Sequence, residues 1–195
     1  MVHARNVDEL LDLLSAQGKE AYFGEPVSVL EHCLQCAHFA EQSHAAPSTI
    51  AAALLHDIGH MLQDLGDNPA EEGLDDRHEE LGRAHLEQYF PADVTDPVRL
   101  HVAAKRYLCA SEPDYAAHLA PDSVLSLKLQ GGPMSAAEAA RFLDEPHVEA
   151  AIALRRFDDM AKVKDLATPA LAHFLPYVER CLVVRPDSSL SATRG

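Results

Sequence analysis

The chain has 195 residues, no Trp, few aromatics and a formal charge of −15. This length suits one domain with a sizeable core, and the Ala-rich, aromatic-poor composition favours helix over sheet. The acidic balance excludes nucleic acid as a partner, and with no transmembrane-length apolar run and no signal-peptide pattern, no membrane partner and a cytoplasmic setting are expected.

Residues 7–14 follow the pattern Val-x-x-Leu-Leu-x-Leu-Leu, which predicts a short amphipathic helix. Tyr22-Phe23-Gly24-Glu25-Pro26 breaks it. Pro26 suits the first position of a second helix running to about residue 44. Its apolar stripe is Val29, Leu30, Cys33, Cys36, Ala37 and Ala40, with His32 beside it. Cys33-x-x-Cys36 has no second such pair, so it reads as buried helix thiols rather than a zinc or redox motif. Pro47-Ser48 opens a third helix, whose apolar run ends in His56-Asp57, followed by Gly59 and His60.

From 65 to 80 the chain is acidic: Asp67, Glu71, Glu72, Asp75, Asp76, Glu79 and Glu80 face one cation, Arg77. All seven read as a solvated loop, with His78 singled out from it. A helix follows to Phe90, and another over about 94–108 carries His101 and Lys105 on one face. Residues 125–133, with Ser126 and Gln130, end in a Gly-Gly-Pro stop. Ser135-Ala-Ala-Glu138 is a capping box that opens the next helix. Pro146 opens a helix to about 165 holding Arg155, Asp158, Asp159 and Lys162, and Pro169 starts a last one to 183. Residues 185–195 read as a disordered tail after a single domain over 1–184. The expected fold class is an all-α helical bundle.

Twelve histidines invite a metal hypothesis. The imidazoles and carboxylates at apolar helix faces or helix ends are His32, His56, Asp57, His78, His101 and Asp158. Neighbours such as His56 and Asp57 point about 100° apart on a helix, so they serve one site best when they straddle two ions. Six N/O donors without a thiolate favour iron or manganese over structural zinc, and six are too many for one catalytic ion. Asp57 would bridge two ions, with His32, His56 and Asp158 around one and His78 and His101 around the other.

The order H…HD…H…H…D over residues 20–165 resembles the HD-domain superfamily, and within it the mixed-valent di-iron oxygenases that cleave C–P bonds of 1-hydroxyphosphonates in phosphonate catabolism. That resemblance implies an HD-domain bundle, two iron ions as Fe(II)/Fe(III), and O2 as co-substrate. It implies a small organophosphonate substrate, 1-hydroxy-2-(amino or trimethylammonio)ethylphosphonate, yielding phosphate and glycine or glycine betaine. It also implies roles for further residues. Tyr22 and Glu25 resemble a lid pair, with Tyr22 a displaceable ligand, and His60 follows His-Asp by three. Lys105, Ser126, Gln130 and Arg155 resemble phosphonate-binding groups. A metal-dependent phosphohydrolase acting on nucleotides or other phosphoesters, and a non-catalytic HD module, are the alternatives.

Overall fold

The computed structural model describes residues 10–16, 25–62 and 73–183, and every regular element among them is helical. Residues 10–16 form α1. It is followed by α2 (Val29–Gln42), α3 (Pro47–Leu55), a tight 3-10 turn (Ile58–Leu62), α4 (His78–Leu86) and α5 (Ala92–Ser111). A second 3-10 turn (Tyr115–His118) leads to α6 (Pro121–Leu129), α7 (Ala136–Leu143), α8 (Val148–Met160) and α9 (Leu171–Cys181). Tyr22 and the tail at 185–195 lie outside the described residues, as do Asp67, Glu71 and Glu72.

Helix α3 is the axis of the molecule. Residues 49–55 are all buried, including Ala51, Ala52 and Ala53, so the helix is apolar all round, as a central helix must be. Its small side chains let α2, α5, α8 and α9 approach closely. Leu54 and Leu55 join Cys33, Cys36, Leu86, Val98, Leu154 and Phe174 in the main core. The two helix thiols are buried there as expected. Burying each such leucine stabilises the fold by about 1.5–3 kcal/mol. A smaller cluster of Leu100, Ala104, Phe142 and Ala151 seats α7.

Among the boundaries that differ from the sequence reading, two bear on the site. Pro26 does not open α2; the helix starts at Val29, where Ser28 and Glu31 form a capping box that satisfies two amide donors, with Glu31 Oε2 accepting from Ser28 N at 2.7 Å. Helix α8 ends at Met160 instead of continuing to 165. The cause is Gln35 on α2. Its carboxamide donates to Val163 O at 2.9 Å and accepts from Val163 N at 3.0 Å. Both main-chain groups are thereby taken from the helical ladder. The Gly-Gly stop after α6 and the Ser135–Glu138 capping box stand as expected, with Gly131 and Gly132 both at positive φ.

Gln35 is thus a clamp between α2 and the segment just beyond Asp158. Gln35→Ala leaves two main-chain groups without their partner and should cost about 1–3 kcal/mol. Thermal unfolding should show a Tm several degrees lower; an unchanged Tm would contradict the clamp.

Candidate functional site

The six histidine and aspartate donors come from five segments and meet at one end of α3. His32 projects from α2, His56 and Asp57 follow α3, His78 opens α4, His101 lies mid-α5 and Asp158 sits in the last turn of α8. All six are buried, Asp57 to 1 % exposure.

Each imidazole is held through its Nδ1. His32 donates to Ala161 O at 2.8 Å, His56 to Ala53 O at 3.0 Å, and His101 to Val98 O at 2.6 Å. His78 donates to the Asp76 carboxylate at 2.9 Å. With the proton fixed on Nδ1, a neutral ring presents its lone pair at Nε2. These lone pairs face each other. His32 Nε2 and His56 Nε2 are 3.2 Å apart, and His78 Nε2 and His101 Nε2 are 3.0 Å apart. Lone pairs at that separation repel unless a positive centre lies between them.

Asp57 sits between the two pairs. Its Oδ2 is 3.4 Å from His32 Nε2 and 3.3 Å from His56 Nε2, while its Oδ1 is 3.8 Å from His78 Nε2 and 4.0 Å from His101 Nε2. Oδ2 is buried and has no hydrogen-bond partner, an orphan that costs free energy unless a cation answers it. Asp158 Oδ1 adds a carboxylate 3.5 Å from His32 Nε2. The chemistry of the cluster suits metal ions: His32, Cys36 and His56 form one group that could hold an ion, and Asp57, His60 and His78 form another.

Burial and charge oppose each other throughout the cluster. Burial pushes His32 down to about 4 against the pull of Asp158 and Asp57. His101 is held well below its usual range by burial and by His78. Burial alone would raise Asp57 and Asp158, yet His56 foremost for the one, and Arg155 for the other, keep both ionised. Against the effect of burial, Asp57 raises His56, and Asp76 raises His78 to about 9, so these two rings hold a proton that a bound cation would displace; neutral imidazoles and ionised carboxylates are the forms that bind metal.

A cavity opens against this cluster, lined by Lys105, Ser126, Gln130 and Arg155 together with Asp57 and His60. Lys105 is 3 % exposed and donates to Ser126 Oγ at 2.8 Å. Burial, aided by Arg155, pushes its ammonium down to about 7. Arg155 is engaged on both ends of its guanidinium, donating to Asp158 Oδ2 at 2.7 Å and to Asp159 Oδ1. Its Nε donates to Tyr115 OH at 3.2 Å. Glu25 stands outside the cavity lining, half-buried and 3.9 Å from Lys162 Nζ.

The solvated-loop reading fails at three positions. Asp76 is 10 % exposed in its side chain and accepts from two histidines, while Glu79 and Glu80 are half-buried in the first turn of α4, with Glu79 Oε2 3.8 Å from His78 Nδ1. Asp75, by contrast, is exposed. Arg77 adopts a left-handed conformation, φ 50° and ψ 37°, which turns Asp76 back toward His78. The spacing Asp-x-His was the available signal, but composition alone masks it. Ser123 and Tyr115 were likewise not anticipated as parts of the site; Lys162, expected on one helix face with Arg155 and Asp158, lies just past the end of α8 and donates to Ser123 Oγ at 3.3 Å.

The HD-domain model matches residues 29–171, the span that contains all six donors. The chain belongs to the HD-domain family. This HD-domain protein is 48 % identical over 168 residues to the 1-hydroxy-2-(trimethylamino)ethylphosphonate dioxygenase (glycine-betaine-forming) of Leisingera caerulea, covering 86 % of each chain. It is 45 % identical over 177 residues to the hydroxymethylphosphonate dioxygenase of Gimesia maris, covering 90 % of this chain and 88 % of the relative. It is also 32 % identical over 172 residues to an uncharacterized protein of Acanthamoeba polyphaga mimivirus.

Gly59 is what lets the HD turn meet α4. A Cβ there would lie 1.9 Å from His78 O, a main-chain atom that cannot swing aside. Gly59→Ala should therefore lower Tm and weaken divalent-cation binding, read by melting and by Mn(II) titration. Gly82→Ala, whose nearest atom is a Val98 methyl at 3.4 Å, should do neither; equal behaviour of the two variants would contradict this account.

Proposed function

We propose that this protein is a di-iron oxygenase that uses O2 to cleave the C–P bond of a small 1-hydroxyalkylphosphonate. The reaction is R–CH(OH)–PO3(2−) + O2 → R–COO(−) + HPO4(2−) + H(+). The observation that carries the reading is the division of Asp57's two oxygens between two separate sets of imidazole lone pairs. The two phosphonate dioxygenases that resemble this chain over most of its length support the substrate class. Their named substrates share a hydroxyl and a phosphonate on one carbon, so the common recognition problem is that unit. For this chain the proposed substrates carry a 2-amino or 2-trimethylammonio group, giving glycine or glycine betaine.

A pair of iron ions, Fe(II)/Fe(III), held by His32, His56, Asp57, His78, His101 and Asp158, would supply the O2 activation that side chains lack. The chain supplies position and charge. Lys105 and Ser126 bind the phosphonate, with Gln130 beside them. A dianion arriving at Lys105 restores the proton that burial tends to remove. Arg155 reaches the cavity wall but spends its fork on Asp158 and Asp159, so its main work is to aim the Asp158 carboxylate. His60 contacts the substrate end nearest Asp57, and Tyr22 and Glu25 act as the lid.

Phosphate release from hydroxymethylphosphonate and from 2-amino- and 2-trimethylammonio-1-hydroxyethylphosphonate, measured in air and under argon, tests this. One O2 should be consumed per phosphate, with none released under argon; turnover under argon with Mn(II) would establish a hydrolase instead. His78→Ala and His101→Ala should each abolish activity. Because free Lys105 titrates near 7, it is charged below that pH and neutral above. Substrate capture, kcat/KM, should thus fall as pH rises through about 7. Lys105→Arg stays charged and should lose that limb; an identical profile would count against Lys105 as the phosphonate anchor.

A further inference from the structure

The carboxylate of Asp76 belongs to neither ion's donor set, yet it touches the site twice. Its Oδ1 accepts from His78 Nδ1 at 2.9 Å and its Oδ2 accepts from His60 Nδ1 at 2.7 Å. The two rings are stacked with centroids 3.9 Å apart and 21° between planes. With both Nδ1 atoms donating, His60 and His78 each turn Nε2 toward the same Asp57 oxygen, 3.8 Å away in both cases. The backbone is bent to allow this: Arg77, between Asp76 and His78, is left-handed. A residue other than glycine holds that conformation only where the surrounding contacts offset its strain.

We propose that Asp76 is a positioning residue that sets the tautomers of His60 and His78 together, so that one carboxylate aligns the second metal position with the imidazole facing the substrate. The inference rests on the two-metal reading above. Its chemistry is a count of donors and acceptors. Two Nδ1–H groups need two acceptors, and a carboxylate provides both. A carboxamide provides one acceptor and one donor, so in Asp76→Asn one ring must turn or move its proton to Nε2. Either change removes a lone pair aimed at Asp57. The other imidazoles of the cluster donate to main-chain carbonyls and are indifferent to this substitution.

Two measurements on the full chain test the assignment. The first is Mn(II) titration of the stripped protein. Wild type should take up two ions; Asp76→Asn should keep the first within about threefold and lose 10–100-fold in affinity for the second. The second measurement is long-range 1H–15N NMR of the histidine rings in stripped protein, above the imidazole titration range. It should place the proton on Nδ1 of both His60 and His78 in wild type. In Asp76→Asn at least one of these moves to Nε2 while His32, His56 and His101 stay unchanged. An Nε2 proton on either ring in wild type overturns the proposal without recourse to any variant, as does a variant that keeps both tautomers and its second ion. Wild type binding fewer than two ions overturns the two-metal reading instead, and the tautomers then still decide the role of Asp76.

Discussion

The carboxylate of Asp57 has one buried oxygen for each of two imidazole sets, and the surrounding architecture follows from placing it there. It must sit at the end of a helix, because only there can adjacent residues such as His56 and Asp57 both turn into one site. That helix must be thin and apolar, because four others pack around it; hence the run of alanines in α3. The turn after it must pass α4 at near-contact, and Gly59 meets that need. Ionised carboxylates and neutral imidazoles buried this deeply are unfavourable on their own. Bound cations would relieve that cost, so metal binding and fold stability are linked here.

Charge is arranged by region. The protein is strongly acidic overall, yet the cavity lining includes Lys105, Arg155 and Lys162. Two of these cations are tied to serines one turn apart on α6, Ser126 and Ser123. Arg155 is balanced by two carboxylates and anchored by Tyr115. The result is a lining where burial weakens the hold of one ammonium, Lys105, on its proton, and another cation is committed to Asp158 and Asp159. An incoming anion meets a site that can gain a proton rather than one already saturated with charge.

Much of this was legible in the sequence, because helix periodicity and the order of histidines and aspartates along successive helices are local signals. The six buried donors lie where that order predicted a cluster. Lys105 shares a face with His101, and Gly-Gly and Ser-x-x-Glu mark real helix ends. What escaped depends on long-range contact. Gln35 and Val163 are 128 residues apart, and no local pattern announces that one will end the helix of the other. Asp76 looked like one of seven interchangeable acids until its left-handed neighbour turned it inward. Asp159 resembles Asp158 in sequence but faces Tyr115 and Arg155 instead of the imidazoles.

The most direct test is a crystal of the iron-loaded protein measured on both sides of the iron absorption edge. The account predicts two anomalous peaks per chain, one beside each oxygen of Asp57, the first within coordination distance of His32, His56 and Asp158 and the second of His78 and His101. A single peak, or two peaks on the same side of that carboxylate, would contradict it.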